Sequence, residues 1–285
     1  MIKKIKKIIS PIRKLVYKNS NKKPWSYGYL DVRWEQTQKN ICNENLLHEF
    51  SENRIPKQFG VAMDERIVEY PWIFSRLSKN KGSKILDAGS TFNFPEIISH
   101  NSLKEKELSI YTFYPESINF INQRVTYAFG DLRDIPFKEN FFDEVVCQST
   151  IEHIDMDNSI YGYELEKNKD VTAKSFEYLK VIDELIRVVK KGGKLLITFP
   201  YGKFENQGFF QQFDTEMVTL IINKMKDNGT YIENYIKYTK NGWENSTADQ
   251  CRDAVSFNPH KGVGQGDDNA AHSRAICCLE FTKNK

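Results

Sequence analysis

Lys84-Ile85-Leu86-Asp87-Ala88-Gly89-Ser90-Thr91-Phe92-Asn93 is the stretch on which the reading of this chain turns. A short apolar run, Ile85 to Ala88, meets a glycine and small polar residues at once. A buried parallel strand reads this way where it stops at a tight loop. An acid at the strand end, with a glycine permitting close backbone approach, suits a ligand held at the carboxyl edge of a sheet. Working outward, Leu108–Phe113, Val125–Phe129, Phe142–Gln148 and Leu195–Phe199 are predicted strands, and the near-continuous apolar run of the third fits burial on both faces. Thr172–Lys190 is a predicted helix with Phe176, Leu179, Ile182, Ile186 and Val189 on one side, stopped by Gly192-Gly193. A short helix is expected at Ile97 and Ile98. Asp214 is a predicted N-cap for a helix running to Asp227, and Tyr231–Thr239 and Arg274–Thr282 are two late strands. This alternation gives an α/β fold with helices on both faces of a mostly parallel sheet. Between the late strands, the Gly- and Asp-rich segment 258–269 is long enough to be either functional or disordered.

The 285 residues suffice for one large α/β domain with extensions, or for two small ones. Apolar content of 40% with 13% aromatics marks a globular chain with a real core. The five cysteines (Cys42, Cys147, Cys251, Cys277 and Cys278) are odd in number and form no C-x-x-C. They read as reduced thiols of a cytosolic protein. No metal motif is present, and no apolar run of membrane-spanning length occurs.

The net charge of +3 conceals an asymmetry, because residues 1–23 hold nine Lys/Arg and no acid while the remainder holds 32 basic against 38 acidic side chains. An acidic body argues against nucleic acid as a partner. In the basic arm, Ile2, Ile5, Ile8, Ile9, Ile12, Leu15 and Val16 recur at steps of three and four, and Ser10-Pro11 is placed to cap and restart a helix. That pattern predicts an interfacial helix on an anionic leaflet, where each Lys/Arg adds about 1 kcal/mol. A solvated leader and a partner-bound helix are the alternatives. The lysines that interrupt the apolar stretch at every turn argue against a signal peptide. The arm is expected to be dispensable for folding.

Residues 24–80 read as a helical cap. Trp25, Tyr27, Tyr29 and Trp34 lie close together there, and a helix is predicted over Asp64–Ser78, with a bend at Pro71. Asp64, Glu65 and Arg66 at its start are either site residues or an exposed helix end.

Three blocks over residues 84–200 resemble the class I S-adenosylmethionine (SAM) dependent methyltransferases, of the type 11 kind. Leu86, Asp87 and Gly89 match the family's V-L-D-x-G-x-G-x-G, while Thr91 and Asn93 replace its second and third glycines. Gly130 to Phe137, Phe141 to Val146 and Ile151 to Ile154 resemble its D-x-x-x-L-P-F, F-D-x-V and L-E-H-I block. Glu184 to Ile197 resembles its E-x-x-R-V-L-K-P-G-G-x-L-x-I run. A narrower resemblance, over Phe59–Arg66, Glu69–Trp72 and the end from Trp243 to Leu279, points to a group found among bacterial surface-polysaccharide genes.

The resemblance implies a Rossmann-like sheet of seven strands, the last antiparallel, in a methyltransferase domain over 81–285. It implies SAM as cofactor, held by Asp87, Gly89, Ser90, Glu116, Asp131, Leu132, Gln148 and Ser149. The family ends its second strand with a ribose-binding acid that is missing here, so either Glu116 substitutes from the following loop, or the cofactor is held differently, or not at all. His153 is the expected base. Asp155, Tyr161 and Tyr201 are the expected acceptor residues, with 155–171 as a substrate loop. The implied activity is O-methylation of a sugar or of a lipid-linked glycan intermediate by a cytoplasmic enzyme, peripheral on the inner membrane face. The competing reading is a methyltransferase-fold scaffold that has lost catalysis. A dinucleotide oxidoreductase is excluded by the missing G-x-G-x-x-G.

Overall fold

The computed structural model describes residues 2–162 and 173–284, and for residues 2–9 the backbone alone. The chain forms two compact units, each assembled from non-contiguous segments.

The first unit comprises Met1–Arg76, Ile236–Asn245 and Val255–Ala275. Its helices are α1 (Ile2–Lys18), α2 (Tyr29–Ile41), α3 (Glu44–Ser51) and α4 (Arg66–Phe74). Pro11 and Pro71 lie inside α1 and α4, so neither proline ends its helix. The Asn43 side chain caps α3 by accepting the Leu46 N–H. Tyr17 of α1 is buried in a cluster with Tyr29 and Ala271, and Arg13 pairs with Asp31 at 2.8 Å. Gly28 has φ +90°, and a Cβ there would stand 2.1 Å from the Arg13 carbonyl oxygen, so only glycine admits this close passage. The expectation of a dispensable arm ending at residue 23 is thereby corrected, because the last turn of α1 contributes to the core of this unit.

The start of α4 is buried, not exposed. Asp64 donates its N–H to the Tyr29 hydroxyl at 2.9 Å and pairs with Arg33 at 3.5 Å. Glu65 faces His272 Nδ1 at 3.2 Å and accepts the Ser273 N–H at 3.2 Å.

The second unit comprises Leu77–Tyr235, Ser246–Ala254 and Ile276–Lys285. Its strands are β1 (Lys84–Ala88), β2 (Glu107–Thr112), β3 (Thr126–Phe129), β4 (Phe142–Gln148), β5 (Val189–Pro200), the short pair β6 (Glu205–Asn206) and β7 (Gln211–Gln212), β8 (Gly229–Thr239), whose end from Ile236 belongs to the first unit, and β10 (Ala275–Lys283); β8 runs on into β9 (Gly242–Ser246), which lies in the first unit up to Asn245. Helices α5 (Pro95–Ile98), α6 (Tyr178–Val188), α7 (Thr215–Asn228) and α8 (Ala248–Cys251) complete the list. The main sheet runs β3-β2-β1-β4-β5-β10-β8-β9. β1 pairs parallel with β2 and β4, β2 with β3, and β4 with β5, while β10 runs antiparallel to β5. The sheet thus has eight strands, not the expected seven. The addition is β9, which follows β8 through a link of hairpin length at Lys240-Asn241.

Strand β5 begins earlier than predicted because Val189 already pairs with Phe142, and the next paired position, Glu144, faces Lys194. Residues 190–193 bulge out between them, with Gly192 at φ +77°. Asp214 caps α7 as expected, accepting the Met217 N–H at 3.1 Å. At the amino edge of the sheet, buried Glu144 pairs with Lys106 and accepts from the Ser78 N–H and hydroxyl.

The buried Glu65–His272 pair makes the first unit sensitive to pH. Burial alone would lower His272, but the Glu65 carboxylate offsets it and leaves the imidazole above its ordinary 6.5. Burial would likewise raise Glu65, but His272 and Arg66 hold it below its ordinary 4.5. The histidine's contribution is therefore complete below pH 6.5 and lost as pH rises through its raised value. The glutamate's is complete above pH 4.5 and lost as pH falls through its lowered value. Urea unfolding of His272→Gln should show a loss of about 3 kcal/mol near the slightly acid optimum. It should also show a flatter alkaline limb than the parent's. Parallel pH profiles for the two proteins would remove the pair from this role.

Candidate active site

The carboxylate of Asp87 organises the loop after β1. It is fully buried. Its Oδ1 accepts from the Thr91 N–H and hydroxyl at 3.2 and 3.1 Å, and its Oδ2 accepts the Phe92 N–H at 2.7 Å. Burial pushes its pKa up to about 7, against the pull of these donors. Gly89, at φ +120°, passes so close to the turn after β4 that a Cβ would stand 2.1 Å from Thr150 Oγ1. Ser90 has φ +63°, and its buried Oγ has no hydrogen-bond partner.

Asn93 occupies the place of the third glycine. Its buried amide donates to Glu116 at 2.8 Å and to the Ile118 carbonyl at 3.0 Å, and it accepts from the Tyr127 hydroxyl at 2.7 Å. One side chain thus joins the loops after β1 and β2 to strand β3. Glu116 sits in the loop after β2, where it receives this amide.

A cleft of about 280 Å³ opens at the carboxyl ends of β2, β3 and β4. Phe113, Asp131 and Arg133 line one side, and His153, Asp155, Met156 and Asn158 the other. Arg133 grips Asp131 through Nε and Nη2, at 2.9 and 2.6 Å to the same oxygen, and reaches Glu177 with Nη1 at 3.0 Å. Partial burial would raise the Asp131 carboxyl, but the guanidinium holds it below its usual range, so it is an anion with lone pairs still to offer. His153 Nδ1 lies 2.6 Å from the Phe209 carbonyl oxygen. A carbonyl only accepts, so Nδ1 carries the proton and the lone pair of the neutral ring falls on Nε2. The Asp155 carboxylate accepts from the Ser175 hydroxyl at 2.7 Å.

Of the residues expected from sequence, the cleft unites Asp131, His153 and Asp155. Tyr161 stands at 51% exposure, edge-on to the His153 ring at 5.5 Å. Gln148 and Ser149 end β4 in buried positions, and Ser149, at φ +41°, donates its N–H to the Thr198 carbonyl at 2.8 Å. Leu132 is buried. The structure places Tyr201 away from any acceptor, because it is fully buried and its hydroxyl is paired with Thr215 at 2.9 Å. Most of the expected substrate loop, residues 163–171, lies outside the described residues. Sequence reading missed Phe113, Met156, Asn158 and the role of Arg133, which the Asp-x-Arg spacing at 131–133 signals. Among the described residues no cluster of His, Cys, Asp or Glu is placed to hold a metal ion.

Residues 112–197 match the family model described as a methyltransferase domain. Among solved structures, the chain is similar to the N-methyltransferase NodS from Bradyrhizobium japonicum in complex with S-adenosyl-l-homocysteine. That likeness has 13% identity and a TM-score of 0.41, over 89% of this chain and 99% of that one. It is also similar to a 1,6-didemethyltoxoflavin-N1-methyltransferase from Burkholderia thailandensis, at 10% identity and a TM-score of 0.41, over 72% of each chain. No curated protein matches it in sequence. The matched segment runs from the end of β2 through β5 and contains the cleft. Residues 112–197 are thus similar to a methyltransferase domain. S-adenosylmethionine is the cofactor that the sequence motifs imply for such a domain.

The residues present fit that cofactor. Ser90 offers an orphaned buried hydroxyl beside Gly89, and Asp131 offers an ionised acceptor in the cleft. Asp131→Ala should weaken SAM binding by about 1–3 kcal/mol in calorimetry. Unchanged affinity would move the cofactor away from this carboxylate.

Proposed function

We propose that the acceptor is a sugar hydroxyl on a nucleotide-linked or lipid-linked glycan intermediate, and that His153 is the base which deprotonates it. The observation carrying this reading is the imidazole itself, with Nδ1–H committed to the Phe209 carbonyl at 2.6 Å and the ring lining the cleft. SAM supplies an electrophilic methyl group on a sulfonium, so the protein's share of the chemistry is positioning and proton removal. His153 Nε2 takes the proton of the acceptor hydroxyl. Asp155 and the half-exposed ring of Tyr161 orient a polyol whose hydroxyls need acceptors and whose ring carbons need an apolar face. Asp131, Ser90 and the loop around Gly89 hold the cofactor, and Glu116 takes its ribose end. The link to surface-polysaccharide assembly rests on the narrower resemblance over Phe59–Arg66, Glu69–Trp72 and the end from Trp243 to Leu279.

His153→Gln should lower methyl transfer to sugar acceptors by about 10²–10⁴-fold, with SAM affinity retained. Product analysis that found the methyl group on protein or nucleic acid would overturn the acceptor class.

No helix of the described residues is long and apolar enough to cross a membrane. We further propose peripheral contact with an anionic leaflet on the cytoplasmic side. The outer face of α1 supports it: Ile12, Leu15 and Val16, at i, i+3 and i+4, are exposed. Trp25, Tyr27 and Leu30 are also exposed, as are the neighbouring Lys22 and Lys23. Tyr17 on the opposite side is core, so the test leaves the helix in place. Leu15→Glu with Val16→Glu should abolish co-sedimentation with anionic vesicles without loss of SAM binding. Binding of the parent should fall as salt screens the lysines beyond a Debye length of about 8 Å. Absence of vesicle binding by the parent at low salt would end this proposal.

A further inference from the structure

We infer that the short hairpin β6–β7 is the orienting partner of His153, its Phe209 carbonyl doing for the imidazole what a carboxylate does in a His–Asp pair. The inference rests on the reading of His153 as base and goes beyond it, by assigning a positioning role to an excursion between β5 and α7.

Three ties join the hairpin to the histidine. His153 Nδ1 lies 2.6 Å from the Phe209 carbonyl oxygen. Four residues on, the Asp157 N–H donates to the Gly208 carbonyl at 2.9 Å. The His153 ring also lies over Phe209, with centroids 6.0 Å apart and planes inclined by 26°. The histidine segment is itself pinned, because the buried Asn158 amide donates to the carbonyls of His153 and Met156 at 2.9 and 3.1 Å.

The hairpin holds its own shape. Gln207 donates its N–H to the Phe210 carbonyl at 2.9 Å, and Asn206 Oδ1 accepts the Gly208 N–H at 2.9 Å. Phe210 is buried, and Gly208 turns at φ +94°, in the left-handed region that favours glycine. The Phe209 carbonyl is therefore a fixed acceptor. Free histidine in water favours the proton on Nε2. A fixed acceptor at Nδ1 reverses that preference and puts the lone pair where a base needs it.

The test needs no acceptor substrate. In nitrogen-15-labelled protein at about pH 8, above the ordinary histidine range, long-range proton–nitrogen spectra report each tautomer. Among the five histidines, the His153 signal is the one missing from His153→Gln. The expected result is the Nδ1–H form in the parent. Gly208→Val, and the milder Asn206→Ala, should shift it toward the Nε2–H form while calorimetry shows SAM binding retained. An Nε2–H ring in the parent, or an Nδ1–H ring unmoved in Asn206→Ala and in folded Gly208→Val, overturns the role of the hairpin. If the tautomer behaves as expected but His153→Gln transfers methyl groups at the parent rate, the hairpin's orienting role stands and the base assignment falls.

Discussion

A buried carboxylate fixes the carboxyl edge of this sheet. Taking an acid out of water costs several kcal/mol unless donors replace the solvent, and Asp87 finds three of them within five residues of itself. The loop that supplies those donors loses its freedom in return. Gly89 is drawn against Thr150, and Asn93 is brought within reach of Glu116, Ile118 and Tyr127. In a loop with several glycines the backbone can take the required turn unaided. Here Thr91 contributes a hydroxyl to the same carboxylate, and Asn93 contributes an amide that braces three segments. Hydrogen bonds in this loop replace conformational latitude.

The opposite edge is held by a comparable device. Lys106, just before β2, reaches Glu144 of β4 across the amino ends of the sheet, with Ser78 satisfying the remaining acceptor capacity. A buried pair of this kind is costly to break from one side and not especially stabilising compared with apolar packing. Its value lies in register. It sets the relative height of β2 and β4 on either side of β1, and so the height of Phe113 and His153 at the far edge. The connection from β2 to β3 needs such help. A parallel pair is usually bridged by a helix, whereas here residues 113–125 hold only a 3₁₀ turn at Ile121–Gln123.

Strand positions were legible wherever an apolar run ended in a turn residue. β4 matches its predicted span of Phe142–Gln148, and β2, β3, β8 and β10 differ from theirs by one or two residues. Within the expected helical cap, the bounds of α2 and α3 were not legible, because residues 29–51 mix aromatics and charges without a clean period. The buried ion pairs at Asp64 and Glu65 were invisible for a different reason. Their partners include Arg33 and His272, and no local pattern shows that a charge 207 positions away will be adjacent. In the cleft, Asp131, His153 and Asp155 stood out because strand ends are where ligands bind. The hairpin carbonyl on His153 did not, since a main-chain acceptor leaves no trace in residue identity. Tyr201 misled because an aromatic in an exit turn reads the same whether it faces a ligand or the core.

The segment 258–269 shows why composition alone is a poor guide to order. Its glycines and acids suit a mobile linker, yet Arg274 staples it. The guanidinium pairs with Asp268 at 2.6 Å and donates to the carbonyls of Val255 and Gly264 at 2.8 and 2.7 Å. Asn258 and Val263 form an isolated antiparallel bridge, and the Tyr238 hydroxyl donates to the Asp268 carbonyl at 2.9 Å. Gly264 is required where a Cβ would stand 2.5 Å from the Ser256 carbonyl oxygen. Each ordered residue costs about 1–2 kcal/mol of backbone entropy, and a charge-assisted bond returns about 1.5–3. One arginine with several such bonds therefore offsets the ordering of only a few residues. The Asn258–Val263 bridge, the Tyr238 hydroxyl and the Asn258 side chain, which accepts the His260 and Lys261 N–H groups, add to its hold on the segment.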